Sequence, residues 1–226
     1  MAHGVLITAT EPGAGKTLIG CALAFAAHSR GMRVGVMKPI ATGCGDVNGI
    51  LESTDARGLA YAAACDAAME LMCPYRYANP ILAPDNSMAP DLLQIAEAYR
   101  KIVSHSDFII VEGFDAIATP IALPTTLSRP KDSLDLARTL NLDVLIVARN
   151  GPGCLNASRL AIAHAQNRGV GIVGVILNDV DANASSIVES NLESLHRLTQ
   201  VPILGRVRFK QPVTREIIDP ILNRIA

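Results

Sequence analysis

The run Thr8-Ala9-Thr10-Glu11-Pro12-Gly13-Ala14-Gly15-Lys16-Thr17 sets two glycines, an ammonium group and a hydroxyl between an apolar β-branched segment and a helical pattern. That spacing suits an anion. A turn with glycines can aim backbone N–H groups inward, and the helix N-terminus behind it adds its own free amides. Lys16 can then reach the outer phosphates of a nucleotide, and the Thr17 hydroxyl can coordinate magnesium. The candidate cradle is Glu11, Pro12, Gly13, Ala14, Gly15, Lys16, Thr17 and Leu18. The strict P-loop pattern wants glycine five residues before Gly15, where this chain has Thr10, so the motif is a variant. A plain strand-to-helix turn with a solvated lysine would not require glycines, lysine and threonine all to fall in register.

Short runs of Val, Ile and Leu alternate with longer helical patterns, the rhythm of parallel strands joined by crossover helices. Expected strands are Val5–Thr8, Val34–Met37, Phe108–Val111, Val144–Val147 and Ile172–Leu177, with Val201–Leu204 as a sixth. Expected helices run over Lys16–Ser29, Ser53–Ala64, Pro90–Ser104, Ser133–Leu140, Leu155–Arg168 and Ala184–Leu198. The strands are almost continuously apolar, which places the sheet between two layers of helices. The fold class is α/β: a doubly wound, mainly parallel central sheet flanked by helices. The proline-rich stretches Met72–Ser87 and Phe114–Lys131 read as long loops, where α/β proteins often carry function.

The 226 residues suit a single domain spanning 1–226. With 20 basic and 21 acidic side chains the net charge is −1, so no global field draws nucleic acid or an anionic membrane, and any anion must be gripped locally. No apolar run approaches the roughly 20 residues of a membrane span, and the chain enters a strand directly after Met1-Ala2-His3-Gly4; a cytoplasmic location is expected. Five irregularly spaced cysteines suggest reduced thiols rather than disulfides or zinc, with Cys21 and Cys65 acting as small buried hydrophobes.

Beyond the P-loop, Met37-Lys38-Pro39-Ile40-Ala41-Thr42-Gly43, Thr54-Asp55-Ala56, Cys73-Pro74-Tyr75 to Pro84, Val111-Glu112-Gly113, Pro152-Gly153-Cys154-Leu155-Asn156 and Leu177-Asn178-Asp179 occur in one order. In that order the chain resembles the dethiobiotin synthetases over nearly its whole length. The resemblance implies an ATP-dependent ligase that carboxylates an amine of diaminopelargonic acid with CO2, phosphorylates the carbamate and closes the ureido ring. It also implies a homodimer with substrate near the subunit interface. Lys16 and Lys38 become electrostatic clamps on the transferred phosphoryl group, and Thr17, Asp55 and Glu112 the magnesium ligands. Thr42 takes a substrate-contacting place, and Gly153, Cys154 and Leu155 lie near the substrate carboxylate, where helix N–H groups can receive it or merely cap the helix. Asn178 takes the place that reads the adenine edge.

Two departures bear on this reading. Ala9 stands where the family has glycine, and Gly113-Phe114-Asp115-Ala116 replaces a glycine-rich run, where phenylalanine and aspartate make positive φ costly. The second change touches the substrate side, leaving a ligase for another amine or carboxylate, or an ATP-binding regulatory or assembly module, as alternatives. Against the module, Glu11 stands where dimeric switch ATPases carry an additional lysine.

Overall fold

The structure, a computed structural model, describes residues 3–79, 89–121, 129–182 and 186–225. In chain order it runs β1 (His3–Ala9), α1 (Lys16–Ser29), β2 (Val34–Met37), β3 (Ile40–Ala41), β4 (Gly45–Val47), β5 (Ile50–Glu52), α2 (Thr54–Ala63), α3 (Met69–Met72) and β6 (Tyr75–Arg76). It continues through α4 (Leu92–Val103), β7 (Phe108–Glu112), α5 (Ser133–Leu140), β8 (Asp143–Arg149), α6 (Cys154–Asn167), β9 (Ile172–Asn178), α7 (Ser186–Leu198), β10 (Ile203–Val207) and α8 (Arg215–Ile225).

Six strands form one parallel sheet in the order β10-β9-β8-β1-β7-β2. From Val5 to Ala9, and again from Val144 to Ala148, every residue of the two central strands is buried, which is why these segments read as apolar runs. Helices α1, α2 and α8 pack together, as do α4 with α5 and α6 with α7, and all cover the sheet. Helix α1 carries the chain from β1 toward β2, whereas α6 carries it from β8 toward β9 on the other side. The carboxyl ends of β1 and β8, neighbours in the sheet, therefore flank a crevice where connections diverge, the usual place for a ligand in such folds.

All five expected core strands are present. The sixth begins two residues later than expected, at Ile203, because the 201–202 pair forms the bend that delivers it. Helix α4 begins at Leu92, where the Asp91 side chain accepts from the Leu93 amide at 2.8 Å and caps it, so Pro90 lies outside. Helix α2 follows Ser53, whose hydroxyl accepts from the Ala56 amide at 3.2 Å. Helix α7 is described from Ser186, and Ala184 lies outside the described residues.

Three features went unread. The β4–β5 hairpin turns on Asn48-Gly49, with φ of 54° and 82°, the Asn-Gly signature of a tight hairpin turn. Strand β6 pairs with β3 inside a stretch expected to be loop; residues 80–87 of that stretch, and 122–128 of the second expected loop, lie outside the described residues. Helix α8 holds Pro220 in its interior and was masked by it; Ile217, Ile218, Ile221 and Leu222 bury its apolar face, so tertiary packing outweighs the missing hydrogen bond. Among the cysteines, Cys44, Cys73 and Cys154 are buried, whereas Cys21 and Cys65 are only half-buried against the core; all five are free.

Helix α5 is fixed by a reciprocal cap: Asp132 accepts from the Leu134 amide at 2.9 Å while Asp135 accepts from the Asp132 amide at 2.9 Å. Burial pushes the Asp135 carboxyl up, but the Arg129 guanidinium, the Asp132 amide and Arg168 outweigh it and hold the group down at about 2. Such a depressed carboxyl stabilises the fold above its unfolded value of about 4 and loses that contribution as pH falls toward 2. Urea denaturation of Asp135→Asn should therefore show a flatter loss of stability between about pH 4 and pH 2 than the parent; identical acid limbs would deny Asp135 this role.

Candidate functional site

The carboxyl edge of the sheet gathers side chains from four connections. The turn after β1 is the phosphate cradle. Gly13 and Gly15 adopt φ of +70° and +103°, and Gly15 directly precedes α1. Glycine at 15 answers a second demand as well: a Cβ there would lie 2.3 Å from Asn178 Nδ2. Asn178, at the end of β9, donates from that nitrogen to the Ala14 carbonyl at 2.8 Å and so braces the turn from beneath. Its Oδ1 is buried without a hydrogen-bond partner among the described residues. Ala14 is fully buried, Glu11 half-buried beside Arg149 at 3.4 Å, and Leu18 exposed on the first turn of α1.

Lys16 and Thr17 open α1 toward the end of β7. Parallel pairing sets Ile7 beside Glu112, which brings the Glu112 carboxylate to the first turn of α1. Thr17 Oγ1 donates to Glu112 Oε1 at 3.0 Å. Lys38, immediately after β2, donates its ammonium to the same Oε1 at 2.5 Å and lies 2.9 Å from Asp55 Oδ2. Glu112 is 1% exposed, Lys38 10% and Asp55 45%, so the Glu112–Lys38 contact is the dry one and the Asp55 contact is partly screened. Glu112 Oε2 is buried and has no hydrogen-bond partner among the described residues.

The two lysines differ electrostatically. Burial disfavours the Lys16 ammonium more than the nearby carboxylates restore it, and Lys38 adds repulsion, so its pKa is lowered. Lys38 meets a burial penalty too, but Glu112 and Asp55 together outweigh it and hold the ammonium charged above the ordinary lysine range. Lys16 Nζ donates to the Asp115 backbone carbonyl. Asp115 adopts φ +46°, so the backbone form expected of a glycine-rich run is kept with an aspartate in it. Its side chain is tied down, with Thr119 Oγ1 donating to Asp115 Oδ2 at 3.0 Å. Aspartate is one of the few residues that tolerates this region. Phe114 is buried, its carbonyl accepting from Ser133 Oγ at 3.2 Å.

Together Pro12, Gly13, Gly15, Lys16, Thr17, Lys38, Ile40, Thr42, Asp55, Glu112, Phe114 and Asp115 line a cavity of about 500 Å³. Sequence reasoning placed most of these. Phe114 as a pocket-closing residue was one of the open readings of the 113–116 run, whereas Ile40 as an apolar wall and the Asp115 carbonyl as the partner of Lys16 have no pattern in residue types, because the loop conformation brings them in. Gly153, Cys154 and Leu155 open α6 on the far side of β8 and do not line this cavity. Burial pushes the Cys154 thiol up, away from nucleophilic reactivity. Beyond Asn178, Asp179 is clamped by Arg206 at 2.7 Å and by Asn150 at 2.8 Å, which fixes the β9 end that carries the asparagine.

A glycine-bearing turn, an invading lysine and a hydroxyl beside a strand-end carboxylate at a switch point define a nucleotide-binding protein of the P-loop class. Similarity to solved structures agrees in fold. A ParA family ATPase from Chlorobium tepidum aligns with all of this chain and 91% of its own at a TM-score of 0.56 and 16% identity. A chain of the MinC:MinD cell division protein complex of Aquifex aeolicus aligns with 98% of this chain and 86% of its own at 0.57 and 14%. A family model described as an AAA domain matches residues 3–217. The ATP-dependent dethiobiotin synthetase of Anaeromyxobacter sp. strain K is 33% identical over 94% of this chain and 93% of its own. That of Xanthomonas euvesicatoria is 31% identical over 90% of each, and that of Thermodesulfovibrio yellowstonii 27% over 96% and 93%. The chain belongs to this AAA-domain family and to the ATP-dependent dethiobiotin synthetases. Among the described residues no helix is long and apolar enough to cross a membrane.

Gly15→Ala would impose both the Asn178 clash and a costly φ. Thermal or urea denaturation should show a loss of about 1–3 kcal/mol, and calorimetric ATP binding should weaken at least tenfold. Parent-like stability and affinity would show that the turn tolerates a side chain there.

Proposed function

We propose that this chain is an ATP- and magnesium-dependent dethiobiotin synthetase. It carboxylates an amine of diaminopelargonic acid with CO2, transfers the γ-phosphoryl group of ATP to the carbamate, and closes the ureido ring as phosphate leaves. The observation that carries the reading is the meeting of Lys16, Thr17, Lys38 and Glu112 in one cavity, where three separate connections deliver the charges that phosphoryl transfer requires.

Lys16 and the turn amides bind the β- and γ-phosphates; the depressed pKa of Lys16 reflects an ammonium group short of counter-charge, which incoming phosphate oxygens supply. Lys38, charged well into alkaline conditions, faces the carbamate and the transferring group and offsets the negative charge that builds between them. Thr17, Glu112 and Asp55 are oxygen donors of the kind magnesium prefers, and the unpartnered Glu112 Oε2 has a lone pair to give. A metal held by Thr17, Glu112 and Asp55 would have its shell completed by phosphate oxygens and water. Magnesium there would neutralise charge on the β- and γ-phosphate oxygens.

Ile40 and Phe114 supply the apolar wall for the aliphatic chain of the diamine, with Thr42 beside them. Asn178 Oδ1, left unpaired while Nδ2 braces the turn, is the acceptor for the adenine amino group. Because Gly153, Cys154 and Leu155 stand away from the cavity, their role in holding the substrate carboxylate requires a homodimer in which they serve the partner's site, in a cytoplasmic setting.

Phosphate release with ATP, bicarbonate and magnesium should depend on diaminopelargonic acid, and mass spectrometry should detect the ring-closed product. ATP binding with no response to the diamine would reject this substrate. Lys16→Ala should abolish turnover with the fold intact by circular dichroism, and Glu112→Gln should lower kcat about 10²–10³-fold. Turnover unchanged in either variant would remove that side chain from the mechanism.

A further inference from the structure

We infer that Lys38 is the internal counter-ion of the metal site: its ammonium group holds the two carboxylates until a divalent cation arrives with nucleotide, and is thereby released toward the acceptor. The inference rests on the ATP- and metal-dependent reading above and adds to it an ion exchange.

Four contacts carry it. Lys38 Nζ lies 2.5 Å from Glu112 Oε1 and 2.9 Å from Asp55 Oδ2, so one ammonium bridges carboxylates from β7 and α2. Thr17 Oγ1 donates to that same Glu112 Oε1 at 3.0 Å. Lys38 thus grips one oxygen of each carboxylate that fits a hard cation, leaving Glu112 Oε2 without a partner among the described residues, and a metal drawn to the same pair of carboxylates competes with the ammonium for their charge. Glu112, 1% exposed, cannot stand unpaired without a large desolvation penalty, so a resident cation is a requirement of the fold. The other cation among the described residues that line the cavity, Lys16, points to the Asp115 carbonyl and forms no ion pair with Glu112 or Asp55.

The competition has a direction. A divalent ion alone would have to evict Lys38 into a cavity that already holds Lys16, adding like charges at close range. With a triphosphate, the phosphate oxygens engage Lys16 and help coordinate the metal, so Lys38 can leave Glu112 at lower cost. The freed ammonium remains in the same cavity as Ile40 and Thr42, where an anionic carbamate would need it. Lys38 therefore acts first as a counter-ion and then as a clamp, and the order follows from charge balance.

The test is metal binding without turnover, using Mn2+ as the probe by electron paramagnetic resonance or calorimetry on the full chain. Parent protein should bind Mn2+ weakly alone and tightly with a non-hydrolysable ATP analogue. Lys38→Met, close in volume but uncharged, should bind Mn2+ alone at least about tenfold more tightly than the parent, while Lys38→Arg keeps the weak affinity. Circular dichroism and analogue binding establish that each variant is folded. If Lys38→Met binds free Mn2+ no better than the parent, the exchange is wrong while the functional reading stands. If the parent binds no Mn2+ even with the analogue, both fall.

Discussion

A carboxylate with almost no solvent sits at the end of β7, and the site is organised around its need for neutralisation. Glu112 is placed by the parallel register of β7 against β1, and that register is dictated by the buried, mainly apolar runs Val5–Ala9 and Phe108–Val111, which resist a slip. Once there it must have a cation and a hydrogen-bond donor. Lys38 comes from the end of β2 and Thr17 from the start of α1, so one charge ties three connections together. Removing a partner from such a pair leaves a buried charge, which costs far more than the pair contributes.

The phosphate-binding turn depends on a second constraint, steric rather than electrostatic. Gly15 carries a φ of +103° and passes within contact of Asn178, whose amide ties the turn to β9. The turn is thus held from outside as well as by its own sequence. On its other flank the 113–119 segment offers the Asp115 carbonyl to Lys16, and the Thr119 hydroxyl holds Asp115 in the left-handed form. The segment can enter the left-handed region without a glycine at 115, because an aspartate can hydrogen-bond locally where phenylalanine or valine could not.

Dethiobiotin synthetase chemistry and the switch ATPases share this sheet, and the difference between them lies in what surrounds the cradle. Here Glu11 stands in the turn and pairs with Arg149, and an apolar wall of Ile40 and Phe114 faces the phosphate end. Those features suit the proposed reading, in which the cavity holds an organic acceptor beside the nucleotide. Fold likeness alone would not separate the two classes.

The sequence alone determined the strands, because a residue buried on both faces must be apolar, and it determined the cradle, because glycine, lysine and threonine are the types that a phosphate turn demands. The helices expected from Ser53 and Ser133 are capped in the structure by the Ser53 and Asp132 side chains. Asn48-Gly49 was equally legible as a hairpin turn and was passed over, whereas Pro220 hid a helix whose support is its buried isoleucines. Tertiary structure decided what no local pattern encodes: that Lys38 bridges Asp55 and Glu112, that Asn178 braces the turn at Ala14, and that residues 153–155 stand apart from the cavity. Each joins residues from distant parts of the chain, and only strand order and register set the distances over which charge and hydrogen bonding act.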